Sequence, residues 1–168
     1  MEYVYIGKIV NTHGIKGEVR LISNFERKDL VFKKNFKIYI GSLKKEEIVN
    51  SYRIHKNYDM ITLNGINDIN DVLKYKGEKV YVNRDDLKLN NQEYLIDDLL
   101  GLAVICDEKE YGIIKDIYDT KGSKLILISY NDKDIFIPFV EEFIKQVDVN
   151  NKRVIVERIR EFLWDLIF

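Results

Sequence analysis

A chain of 168 residues that is 46% apolar and 33% charged has the length for one domain or two small ones and enough apolar content for a packed core, which excludes wholesale disorder. Its one cysteine, Cys106, excludes an internal disulfide and fits a reducing cytosol, and no run approaches the roughly 20 apolar residues that a membrane helix needs. The net charge of −1 hides a division, because residues 1–86 carry 16 Lys/Arg and 12 Asp/Glu, a net of +4, whereas residues 87–168 carry 11 and 16, a net of −5.

In chain order, the opening Glu2-Tyr3-Val4-Tyr5-Ile6-Gly7-Lys8 lacks the basic front and apolar run of a secretory signal, so a cytoplasmic protein without membrane contact is expected. Short apolar runs with strand character follow at residues 3–10, 17–23, 36–40, 47–55, 59–63 and 78–82, separated by Gly and Asn/Asp clusters. Between the last two, Ile69, Val72 and Leu73 fall at helical spacing, and Asn67 or Asp68 is the expected cap with Gly77 as the stop. A polar stretch at 83–92 breaks the pattern. A second set of strands is predicted at 101–106, 112–118, 124–130, 135–139 and 153–156, with a hairpin turn over 130–134 and a helical turn over 140–144. The chain closes on Ile159, Phe162, Leu163, Leu166 and Ile167, an amphipathic helical stripe over 157–167 with Trp164 off it. Abundant aromatics (11 Tyr, 8 Phe) against a single Pro suit sheet surfaces, and the helices are too few for a parallel α/β fold. The expected fold is all-β with minor helices: a six-stranded barrel over residues 1–84, a linker over 85–92, and a second barrel with a C-terminal helix over 93–168.

The residues that carry catalysis are scarce. Cys106, His13 and His55 have no zinc-ligand spacing, so no metal is expected. Cys106 follows Leu102-Ala103-Val104-Ile105 and reads as a buried strand residue rather than a nucleophile. Gly-x-Ser-x-Gly, the phosphate loop and the dinucleotide fingerprint are all missing, so no cofactor is expected. The carboxylate pairs Asp97-Asp98 and Glu141-Glu142 read as a cap and a solvated face, because adjacent side chains point apart. The distinctive stretch is Asn11-Thr12-His13-Gly14-Ile15-Lys16-Gly17-Glu18-Val19-Arg20 between two strands. Gly14 and Gly17 permit positive φ and close approach, and a Lys within Gly-x-x-Gly resembles the loop with which KH domains clamp nucleic-acid backbone. Strands rather than helices flank it here, so two readings stand: a structural turn and a phosphate clamp.

The run from Tyr5 to Val19 is similar to the opening signature of the RimM family of ribosome maturation factors. Leu63-Asn64-Gly65-Ile66-Asn67-Asp68 and Leu73-Lys74-Tyr75-Lys76-Gly77 fit that family's strand and short helix. Asp98-Leu99-Leu100-Gly101-Leu102-Ala103-Val104, Tyr111-Gly112-Ile113-Ile114 and Ile137-Pro138-Phe139-Val140 resemble its second domain, a PRC-type barrel. The resemblance implies a non-enzymatic factor that binds the immature head of the 30S subunit, contacting 16S rRNA and ribosomal protein S-nineteen; a monomer is expected. The basic first barrel then suits RNA and the acidic second a basic ribosomal protein. The candidate RNA contacts are His13, Lys16 and Arg20, with Lys8, Arg53 and Lys56 completing a basic face. Tyr94 and Leu95 are the candidate protein contact, although Tyr94 packing against its own barrel is the competing reading. Where relatives place paired aromatics, this chain has Tyr94-Leu95, and Lys121-Gly122-Ser123-Lys124 replaces a Gly-Ala-Asn-Asp-like stretch.

Overall fold

Alternation of apolar and polar residues builds the first unit. In β6 (Lys79–Asn83), Val80 and Val82 are buried while Lys79, Tyr81 and Asn83 take the other face, the period-two pattern of a half-buried strand. The same alternation runs through β2 (Glu18–Ile22) and parts of β1 (Tyr3–His13) and β4 (Lys45–His55), whereas β3 (Lys37–Ile40) and β5 (Tyr58–Leu63) bury three consecutive residues each. These strands close into an antiparallel barrel in the order β1-β2-β5-β4-β3-β6, with β6 returning to pair with β1. Closure removes every free strand edge. All six strands fall where the residue pattern puts them.

The computed structural model describes residues 1–120 and 122–163, in two compact units, Met1–Leu89 and Asn90–Phe168. In the first, a single turn, α1 (Lys28–Val31), buries Val31 and the adjoining Phe32. The segment predicted as one helix over 67–75 forms two 3-10 turns, Ile69–Asp71 and Leu73–Tyr75. Asp68 does cap it, accepting from the Asn70 amide at 2.8 Å, and Gly77 ends it at φ 86°. Two turns held between strands are too short to recover the cost of nucleating an α-helix. After β6, Arg84–Leu87 makes another 3-10 turn capped by Asn83, and Leu87 is buried.

The second unit is a six-stranded sheet in the order β10-β9-β8-β7-β12-β11. Its strands are β7 (Ala103–Cys106), β8 (Lys109–Thr120), β9 (Ser123–Tyr130), β10 (Lys133–Pro138), β11 (Ile144–Asp148) and β12 (Arg153–Val156). All pairings are antiparallel except β12 with β7. Ile135 and Ile137 of β10 share one core with Val154 and Val156 of β12, so the sheet curls around its own apolar face. Tyr130 and Lys133 pair across Asn131 and Asp132, both left-handed, so the hairpin turn predicted over 130–134 is a two-residue one. Cys106 is buried in β7. The turn over 140–144 is present, with the Phe143 and Ile144 amides donating to Val140 O, but it leads directly into β11, a strand absent from the sequence reading. Asp98 accepts from the Leu95 amide at 2.8 Å, the capping role expected of that pair. Of the predicted terminal helix, Ile159–Phe162 forms a 3-10 turn, and Trp164, Leu166 and Ile167 lie outside the described residues.

Candidate nucleic-acid interface

The loop between β1 and β2 is built by its two glycines for different reasons. Gly17 sits at φ 93°, and a Cβ there would meet Ile66 Cγ2 at 3.0 Å and the Asp68 amide at 3.4 Å. Gly14, at φ 68°, has open space around it, so only its left-handed backbone selects glycine. The Ile69 amide donates to Ile15 O at 2.9 Å, docking the loop against the 3-10 segment. The result is a fixed connector whose tip presents exposed Lys16 and Ile15, the latter 77% exposed. A structural turn and a presented lysine are therefore compatible properties of one loop.

On the outer face beside it, Arg20 of β2 lies opposite Asn11 of β1 and Met60 of β5, and Met60 lies opposite Arg53 of β4. Arg20 is fixed from two sides. Its guanidinium stands 4.8 Å from the Tyr58 ring centroid, and its Nη2 donates to His13 Nδ1 at 3.0 Å. A guanidinium can only donate, so Nδ1 is the acceptor in this contact. The β4–β5 hairpin brings His55 over this site until the two imidazoles are 5.4 Å apart. Lys56, left-handed at φ 55°, occupies the hairpin tip beside it. Arg53 makes a bidentate pair with Glu18, Nε to Oε2 at 2.9 Å and Nη2 to Oε1 at 2.6 Å, which holds the Glu18 carboxyl below its usual range.

The structure thus gathers His13, Arg20, Arg53 and Lys56 with His55, and sets Lys16 on the adjoining loop. Lys8 lies farther along β1, opposite Ile22 and beyond a bulge. Lys8, Lys16 and Lys56 make no ion pair among the described residues. Arg53 is occupied by Glu18, which makes it an organiser of the face more than a free cation. His55 and Tyr58 are the members that sequence reasoning missed. Tyr58 lies just outside the strand predicted over 59–63, and His55 stood as a lone histidine far from His13.

Burial, reinforced by Arg53, His13, Lys56 and Arg20, lowers the pKa of His55. A folded value below the unfolded one means the unfolded chain takes up the proton first as pH falls. The stability contributed by the neutral ring is present above about pH 6.5 and is lost as the pH falls through the lowered folded value. Melting curves from pH 5 to 8 should show this acid-side loss, and His55→Asn should flatten it; an unchanged slope in the variant would remove His55 as its source.

In the second unit, Leu95 is only 4% exposed and is withdrawn from solvent. Tyr94 is half-buried against that unit's core, and burial raises its phenol pKa. Tyr94 forms one wall of an open groove of about 330 Å³ with Phe139, Val140, Ile144 and Val147. Packing and partial presentation coexist at this ring.

The fold and this surface define a two-unit, all-β protein whose first barrel carries a convergent basic face. Residues 4–87 match the model of the RimM N-terminal domain and residues 96–161 that of the RimM PRC barrel domain. The chain belongs to the RimM family of ribosome maturation factors. A ribosome maturation factor RimM from Exiguobacterium sp. is 32% identical over 161 residues, covering 93% of this chain and 94% of the relative. That from Staphylococcus aureus is 37% identical over 158 residues, covering 91% and 94%. Among solved structures, the chain is similar to that of a 16S ribosomal RNA processing protein RimM from Pseudomonas aeruginosa, at 20% identity and a TM-score of 0.47, covering 96% of this chain and all of that one.

Proposed function

We propose that this protein is a non-catalytic, cytoplasmic maturation factor that binds the head of the immature 30S subunit as a monomer and assists 16S rRNA processing and assembly. The observation that carries the reading is the convergence of Arg20, His13, His55 and Lys56 on one barrel face, flanked by Lys16. Cations held in advance by stacking and hydrogen bonds lose little freedom on meeting a phosphate backbone, whose charge density dominates RNA affinity. His13, Lys16, Arg20 and Lys56 are assigned to 16S rRNA, with Arg53 orienting the face and Lys8 at its margin. The acidic second unit takes a basic ribosomal protein, S-nineteen, with Tyr94 as the contact and Leu95 anchoring the segment behind it. The factor favours the immature arrangement through its higher affinity for it, and departs when maturation removes that surface.

Sedimentation of lysate through a gradient tests this directly. The protein should travel with immature 30S particles and not with mature 70S ribosomes; equal binding to both defeats the assembly role. The double variant Lys16→Glu/Arg20→Glu should bind immature particles at least about tenfold more weakly and with a shallower salt dependence. Unchanged binding would remove this face from the interface.

A further inference from the structure

A second surface of the first barrel, formed by β1, β6 and β3, carries a row of tyrosines. The register aligns Tyr5, Tyr81 and Tyr39 side by side across the three strands. Tyr3 joins them from the end of β1, its ring 5.2 Å from Tyr39 and 6.4 Å from Tyr81, and Tyr5 lies 5.9 Å from Tyr81, all edge-to-face. Tyr39 is buried and forms the floor, while Tyr5 is 52% and Tyr3 39% exposed. A stable barrel does not require two phenol rings on its outer surface. On the same face, past the bulge between Tyr5 and Gly7, Lys8 stands directly opposite Lys79. Like charges in that position destabilise a sheet unless an anion lies between them. Lys44 flanks the other side, with its Nζ 4.1 Å from the Tyr81 ring centroid and 5.4 Å from that of Tyr3.

We propose that this face is a stacking platform for unpaired RNA, in which bases lie on Tyr5 and Tyr3 and the sugar-phosphate backbone runs past Lys44 and the Lys8–Lys79 pair. Aromatic rings on a sheet surface next to cations accept any base through its π-face, which is how single strands are held without sequence readout. The charges favour this occupant over a basic protein. Of the carboxylates nearby, Glu46 and Glu2 are paired to Lys37 and Arg84, Asp86 acts on Tyr39 and Lys37 at the floor and Glu78 lies against Gly41, whereas Lys8, Lys44 and Lys79 make no ion pair among the described residues and leave three cations beside the rings. The platform meets the Arg20 face only at Lys8 and adds a preference for single strands to the backbone contacts proposed there.

Fluorescence anisotropy of the full chain, with a labelled unstructured ten-nucleotide RNA and a ten-base-pair RNA hairpin as probes, tests the platform. Tyr5→Ala should weaken binding of the single strand about tenfold and leave hairpin binding unchanged, and Tyr5→Phe should bind like the parent. Tyr3→Ala, read in the same way, provides a second variant if Tyr5→Ala does not fold. Equal affinities for the single strand in parent and alanine variants overturn the platform, as does an equal loss on the hairpin. Loss of a ribosomal protein from co-sedimenting particles with RNA affinity intact would make the face a protein contact and also overturn it. Retained particle binding by Tyr5→Ala alongside loss by Lys16→Glu/Arg20→Glu would refute this inference and leave the proposed function standing.

Discussion

Gly112→Ala is expected to destabilise the second unit by about 3 kcal/mol, and calorimetry of the full chain should show its transition lowered by roughly 10–20 °C. Gly112 occupies the register shift between β7 and β8, where Ala103 pairs with Ile113 but Ile105 pairs with Glu110. Its backbone is at φ 129°, where an L-residue is strained, and a Cβ would lie 2.7 Å from the carbonyl oxygen of Ser129 on β9. That neighbour is backbone of a paired strand, held in register with Asp134 of β10, and cannot swing aside as a side chain would. Gly101 supplies the control, because it is also left-handed, at φ 83°, but nothing lies within 4 Å of its would-be Cβ. Gly101→Ala should therefore cost only the conformational part, about 1 kcal/mol. Equal effects at the two positions would mean that the contact with Ser129 is unimportant.

The second large effect is expected at Asp59, the one buried charged residue among those described. Its carboxylate is 3% exposed and accepts from Lys28 Nζ at 2.8 Å and from the Tyr52 hydroxyl at 2.6 Å. Burial, with the Asp59 bond second, pushes the Tyr52 phenol up to about 12, and its ring stacks on Phe32 at 5.2 Å. Lys28→Met leaves the carboxylate in the barrel wall with one hydroxyl for company and should cost about 3 kcal/mol in urea unfolding. Asp59→Ala should cost about 2 kcal/mol, less because the freed ammonium, already part-exposed, can turn to water. The double variant Asp59→Leu/Lys28→Met removes both charges and should recover most of the loss. Additive losses would show that the pair stabilises the barrel by more than mutual neutralisation.

The strands were legible because their inward residues alternate, as in Val80 and Val82, or run continuously apolar where both faces are covered, as in Ile38-Tyr39-Ile40. β11 was not, since Lys145 and Gln146 occupy its middle and only one of its faces contributes to the core. α1 escaped because one turn has too few residues to display a period. At the basic face, His13, Lys16 and Arg20 were visible as neighbours of a Gly-x-x-Gly loop. His55 was not, because its approach to His13 depends on the curl of the β4–β5 hairpin, a property of two paired strands that no local spacing records. Leu95 shows the opposite case, in which adjacency to Tyr94 suggested shared exposure and the backbone gave the two side chains different environments.

The parallel placement of β12 between β7 and β11 has a meaning in time, as the chain emerges during translation. The seam between β1 and β6 needs nothing beyond Asn83, so the first barrel has all its strands at that point. In the second sheet β7 is complete at Cys106 and β12 begins at Arg153, about 47 residues later, which at ~5–20 residues per second is roughly 2–9 s. During that interval β7 has an open edge, and Val104 lacks Val154 beside it. Each newborn molecule thus passes through a stage in which a closed basic barrel precedes an incomplete acidic sheet, and β12 is the strand whose arrival ends that exposure.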